Sequence, residues 1–293
     1  MGWGEVFALS SAFGWALAVI LMRRVGETLP AFELNLFKNS LGVLLLIPTI
    51  LLFSGPGLPD YSLFELSVVF ASGVIGIAIA DTWYLRALNL MGAGRAAIVA
   101  SLFSPFVIFL STIFLGERMV PWQWFGIFLV ISGVLMVTWR VNHSTIDAGN
   151  IRKGAIFGVA AMFMMALGIV MVKEILEVRP LLWTMELRLV GGVVGMLAFM
   201  LVRGQWQSVK RNFQKPQPWP GIIGASFLAA YLCLILWLAG YKLIDASVAS
   251  ILNETNVVFI ILLAWLMLGE KITRRKLAGI GLTAAGVLIM VLV

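Results

Sequence analysis

Leu115-Gly116-Glu117 and Leu268-Gly269-Glu270 mark the places where this sequence repeats itself most plainly. Placed one over the other, their flanks align without a gap. Gly126 meets Gly279, and Gly133-Val134-Leu135 meets Gly286-Val287-Leu288. Upstream, Ala93 meets Ala246 and Ala96 meets Ala249. Nearer the start, Gly4-Glu5-Val6-Phe7 lies over Gly154-Ala155-Ile156-Phe157, Phe13 over Phe163, Pro30 over Pro180, and Lys38 over Arg188. The chain therefore reads as two tandem copies of one unit, residues 1–145 and 146–293.

What surrounds these landmarks is apolar. Hydrophobic residues make up 61% of the 293 positions and charged residues only 12%. A soluble globular protein carries about 25% charged residues, so this chain has too little charge to cover a water-facing surface. A lipid bilayer is the solvent that fits. The net charge is +7, but the basic residues lie mostly between apolar runs, where membrane loops keep them. No basic stripe with interleaved aromatics forms a nucleic-acid face. One cysteine, Cys233, and one histidine, His143, leave no disulfide, no thiolate cluster and no His-based metal or catalytic site. No cofactor or metal is expected.

Ten stretches offer the 20 or so mostly apolar residues that a helix needs to cross about 30 Å of hydrocarbon. They run over 4–22, 33–53, 64–88, 95–115, 121–139, 152–172, 183–202, 218–241, 246–268 and 276–293. The first is read as a retained span, because Arg23-Arg24 follows its apolar run where a signal peptide has its charges first. Continuous rather than alternating apolar runs favour helices over a β-barrel. The expected fold is an all-α membrane protein with ten transmembrane helices as two inverted five-helix repeats. Inversion follows from the odd number: five spans bring the second copy into the membrane from the opposite side. Such repeats typify secondary transporters, whose substrate sites lie near the midplane between the halves. Small residues at helical spacing, Gly191 with Gly195 and Gly126 with Gly133, read as close helix contacts.

Ala87-Leu88-Asn89-Leu90-Met91-Gly92-Ala93-Gly94-Arg95-Ala96-Ala97, then Ser104-Pro105 and Phe114-Leu115-Gly116-Glu117-Arg118, resembles the EamA repeat of the drug/metabolite transporter superfamily. Ala246-Ser247-Val248-Ala249 through Leu268-Gly269-Glu270-Lys271 resembles it a second time. The resemblance implies ten helices, a central cavity, and export or exchange of amino acids, related metabolites or drugs. It departs in the ninth span, where Asn253-Glu254-Thr255-Asn256 is polar and Val258 stands in register with Pro105. That departure weakens transfer of a substrate from relatives.

Ionisable groups inside a span are costly and point to function. Asp81, with Tyr84 one helical turn on, suits proton coupling or amine binding as a lone carboxylate; the alternative is an acid paired with Lys38 or Arg86. Glu254, Asn253 and Asn256 point around the whole helix at about 100° per residue, so they line a cavity, bond neighbouring helices, or mark a break. Lys38 and Arg188 occupy equivalent places in the two copies and suit a substrate carboxylate or a gate; snorkelling to the interface is the alternative. Trp15, Tyr231 and Trp237 form aromatic walls, or else contact lipid or pack in the core, and Met162, Met164, Met165 and Met171 offer an adaptable surface or ordinary packing. Glu117 and Glu270 sit beside tight turns and read as structural.

The expected function is a secondary carrier of small metabolites that works by alternating access, with protons as one possible coupling ion. A channel or receptor-like protein is the alternative. An intramembrane enzyme lacks a nucleophile with a base. The location expected from the resemblance is a bacterial inner membrane. Loop charges place both termini outside by the positive-inside rule, whereas the family resemblance implies cytoplasmic termini.

Overall fold

The computed structural model describes residues 2–55, 57, 59–115, 120–138, 147–244 and 246–292. All regular structure among them is helical. One short break sets the geometry of the first copy. Gly92 adopts φ 83°, a left-handed conformation that glycine reaches without a Cβ penalty, and separates two long helices. Helices α1 (Trp3–Val25) and α2 (Ala31–Phe53) precede α3 (Leu63–Met91) and α4 (Ala93–Phe114), and α5 (Pro121–Thr138) completes the copy. The second copy contains α6 (Ala148–Val178), α7 (Leu181–Val202), a short helix α8 (Trp206–Gln214), α9 (Trp219–Leu243), α10 (Ala246–Leu268) and α11 (Arg274–Leu292). The equivalent residues Pro30 and Pro180 stand at the N-caps of α2 and α7.

Seven of these helices are long and apolar enough to cross a membrane: α1, α2, α3, α4, α6, α7 and α9. Trp124–Val137 and Thr255–Leu268 add shorter apolar stretches. Helix α8, between α7 and α9, is an element that the sequence reading left as a connection. Its residues are mostly polar and only Val209 is buried, so it lacks the apolar run that marks a span.

The copies interlock rather than standing side by side. The first helix of each packs on the third and fourth long helices of the other: α1 on α9 and α10, α6 on α3 and α4. Their second helices, α2 and α7, touch each other, as do α5 and α11. Each third helix also carries a π-wound segment, Val74–Asp81 in α3 and Leu228–Leu232 in α9. Such wide turns are rare and frequent at functional sites.

Glycine brings these helices to near contact. A Cβ on Gly191 would lie 2.8 Å from the Phe70 carbonyl oxygen, and one on Gly195 3.0 Å from Val74 Cγ2. A Cβ on Gly133 would lie 2.8 Å from the Gly279 oxygen, so α5 and α11 meet backbone to backbone. The outer surface is apolar, with Phe53, Phe128, Leu201 and Trp265 exposed. Lys38, Arg188, Glu33 and Glu186 are buried. That reversal of the soluble pattern fits lipid as the surrounding solvent.

The Leu-Gly-Glu motif of the second copy now has a physical reading. Leu268 ends α10, Gly269 turns the chain at φ 66°, and Glu270 reaches across to the first copy. Its carboxylate accepts from the Ala93 and Gly94 amides at 2.7 and 3.1 Å and from Lys276 Nζ at 2.8 Å. It caps the start of α4, satisfying donors that a helix N-terminus leaves free. Burial raises the Glu270 pKa, but Lys276 and the two amides outweigh it and hold the carboxyl below its usual range. At the opposite end of the helices, Glu65 closes a capping box with Ser62 at the start of α3. It also takes a two-pronged bond from Arg179 at 2.7 and 2.8 Å, which ties α3 to the end of α6.

Candidate functional site

The site begins with α2, where polar residues interrupt an apolar helix: Glu33, Asn35, Lys38 and Asn39 are all buried. Asn35 Nδ2 donates to the Ile77 carbonyl at 2.8 Å and to Thr82 Oγ1 at 2.9 Å. Asn39 Nδ2 donates to Asn35 Oδ1 at 2.8 Å. This ladder pins α2 to the π-wound segment of α3. Asp81 ends that segment, and there it meets Lys38. The Lys38 Nζ and Asp81 Oδ2 atoms form an ion pair with side-chain exposures of 4% and 14%. Asp81 is thus the paired acid rather than the lone carboxylate. The other partner considered, Arg86, lies over the Phe157 ring, 4.5 Å from its centroid.

Arg188, the equivalent of Lys38 in the second copy, is buried on α7. Its Nε donates to Ser72 Oγ on α3 at 2.8 Å. Gly76 makes room beside it: a Cβ there would lie 3.5 Å from Arg188 Nη2. Neither cation snorkels.

Lys38, Asp81 and Arg188 line one cavity between the copies, together with Trp15, Tyr84, Asn253 and Asn256. Of Asp81, Tyr84, Lys38, Arg188, Asn253, Glu254, Asn256, Trp15 and Tyr231, seven therefore meet in one place. The cavity offers about 140 Å³ to the centres of water-sized molecules, room for a small solute rather than a single water. Trp237, Phe103, Met162, Met165 and Met185 supply much of its apolar wall. Trp15 stacks on Tyr84 with centroids 6.3 Å apart.

Two residues fall outside this group. Tyr231 does not line the cavity; its hydroxyl shares a hydrogen bond of 2.6 Å with Thr49 Oγ1 on α2. Its reading as an aromatic wall of the site is corrected: it fastens α9 to α2. The Glu254 side chain lies outside the described residues, as do Glu117 and His143. Around Glu254, α10 is unbroken. Asn253 donates to the Ala249 carbonyl at 2.8 Å and Thr255 to the Leu252 carbonyl at 2.6 Å. Both side chains satisfy themselves on their own helix, so α10 passes through this polar stretch without a break.

Sequence reasoning missed Asn39, Ser11 and Gly76, which also line the cavity, and Ser72, which holds Arg188. Asn35 and Asn39 were visible as polar residues four apart in a span. Ser72 carried no such signal, since small hydroxyls are common where membrane helices pack.

A model of the EamA-like transporter family matches twice, over residues 2–139 and 152–292. The chain belongs to the EamA-like transporter family. The pseudopaline exporter CntI of Pseudomonas aeruginosa is 28% identical over 142 residues, and the match spans about half of either chain, 48% of each. An uncharacterized transporter of Archaeoglobus fulgidus is 25% identical over 232 residues, 78% of each chain. A solved crystal structure shares the fold with a TM-score of 0.68 at 16% identity, over 99% of this chain and 96% of the other. Membership of this family, together with its long apolar helices, makes the protein an integral membrane protein.

Proposed function

We propose that this protein is a secondary carrier that moves amino acids or related small metabolites by alternating access. In this reading ten spans form two inverted five-helix repeats, residues 1–145 and 146–293, in a bacterial inner membrane. The repeats rock against each other around the central cavity and expose it to each side in turn. The observation that carries the reading is the cavity itself: both copies build it, and buried charges of both copies meet there. The Pseudomonas relative is an exporter, which supports export or exchange as the direction.

The ion pair offers a coupling step. Protonation of Asp81 removes its charge and releases Lys38, so proton gain on one side and loss on the other changes the cavity's charge once per cycle. If Asp81→Asn combined with Glu254→Gln retained full pH-driven transport, proton coupling through these carboxyls would be wrong.

The carrier reading is tested by counterflow into proteoliposomes preloaded with unlabelled amino acids and metabolites. Saturable, trans-stimulated uptake of a labelled compound is expected. Linear flux without trans-stimulation would mean a channel.

A further inference from the structure

The two copies are alike in backbone but not in charge. Arg188 lies 150 positions after Lys38, and Leu234 lies 153 positions after Asp81, the offset that pairs Ala93 with Ala246. The second copy thus keeps the cation and loses the acid. Lys38 is neutralised by Asp81. Arg188 bonds a neutral hydroxyl through Nε, and among the described residues nothing accepts from its two terminal nitrogens. Glu186, two residues away on α7, does not line the cavity.

Among the described residues, the three ionic groups that line the cavity therefore leave one positive charge over in a largely apolar chamber. A buried charge without a partner is costly, and an arginine fork matches the two oxygens of a carboxylate or phosphate. Tyr84 adds a second unmet need. It is 3% exposed, and its hydroxyl has no partner among the described residues. Buried hydroxyls are seldom left so. Around these groups the walls are Trp15, Trp237, Phe103, Met162, Met165 and Met185, suited to an apolar body of variable shape.

We propose that the cavity is a site for an oxyanion, carboxylate or phosphate, carried on a solute with an apolar body and gripped by Arg188. The proposal rests on the carrier reading only for the claim that this occupant is the transported solute. The Lys38–Asp81 pair sets the background charge, so Asp81 governs how strongly the anion is held.

The test is binding to the full chain in lipid nanodiscs, measured by calorimetry, with four probes of similar body: 3-phenylpropionate, phenyl phosphate, phenethylamine and 3-phenylpropanol. One or both anions should bind in preference to the amine and the alcohol, and which anion wins separates carboxylate from phosphate. Arg188→Gln should weaken that binding by about tenfold or more, and Arg188→Lys should restore part of it. Asp81→Asn should tighten it several-fold, a gain that a misfolded variant cannot mimic. Preference for the amine, binding of the anions unchanged in Arg188→Gln, or binding of no probe would overturn the proposal. Counterflow is a separate readout: Arg188-dependent anion binding without saturable counterflow would keep this site and remove the carrier.

Discussion

Lys38 and Arg188 hold equivalent places in the two copies and lead different lives. Lys38 finds a carboxylate within its own copy, across the ladder that joins α2 to the π-wound part of α3. Arg188 crosses to the other copy and, among the described residues, bonds a serine rather than a carboxylate. The backbone symmetry is kept to the level of prolines at both N-caps and π-wound turns in both third helices. The charges break it. In the proposed carrier, duplication would supply two matched halves that trade places around a centre, and the mismatch between them would supply something for a solute to recognise.

Breaking the paired side should have the largest effect. Lys38→Met leaves Asp81 as a buried, unmatched charge and should cost about 3–5 kcal/mol of stability, whereas Lys38→Met with Asp81→Leu should recover most of that. Denaturation of the two variants in detergent measures the difference. The unpaired side should respond in the opposite sense. Arg188→Gln removes a charge whose neighbouring carboxylate, Asp81, is already paired with Lys38, so stability should fall by no more than about 1 kcal/mol while counterflow drops far more. Equal destabilisation by the two single substitutions would show that the copies are not electrically distinct.

Smaller effects sharpen the contrast. Glu270→Ala removes the cap on α4 and should cost about 1–2 kcal/mol. Because the folded carboxyl is held below its ordinary value, the wild-type advantage should be full above the unfolded value of about 4.3. It should disappear as pH falls through the lowered folded value. Melting curves of both proteins from pH 7 to pH 3 would follow it. Tyr231→Phe, outside the cavity, should cost about 1 kcal/mol through the lost Thr49 bond and leave anion binding unchanged.

Much of this was legible from the residues. The helical class and the duplication follow from long apolar runs and one gap-free alignment, and the cost of charge in lipid pointed to Lys38, Asp81 and Arg188, which line the cavity. Partnership was not legible. Nothing in the sequence says whether Asp81 meets Lys38 or Arg86, because that choice depends on where the π-wound turn aims Asp81. Tyr231 looked like a cavity residue since it sits mid-span; one added residue per turn in α9 is enough to redirect a side chain. Ser72 was invisible for a different reason: its role exists only through Arg188 of the other copy. The polar run in α10 misled in a third way. Asn253 and Thr255 can satisfy themselves on carbonyls of their own helix, so polar residues in a span need neither a break nor an interhelical partner.

Alternating access can be read directly at Cys233, the single cysteine of the chain, which is buried and lines the cavity. A small membrane-impermeant methanethiosulfonate reagent would be applied to one face of the bilayer, then to the other, in right-side-out and inverted vesicles. Modification from both faces, slowed from each by a bound anion, is the expected result. Modification from one face only under every condition tested would contradict a cavity that opens to both sides.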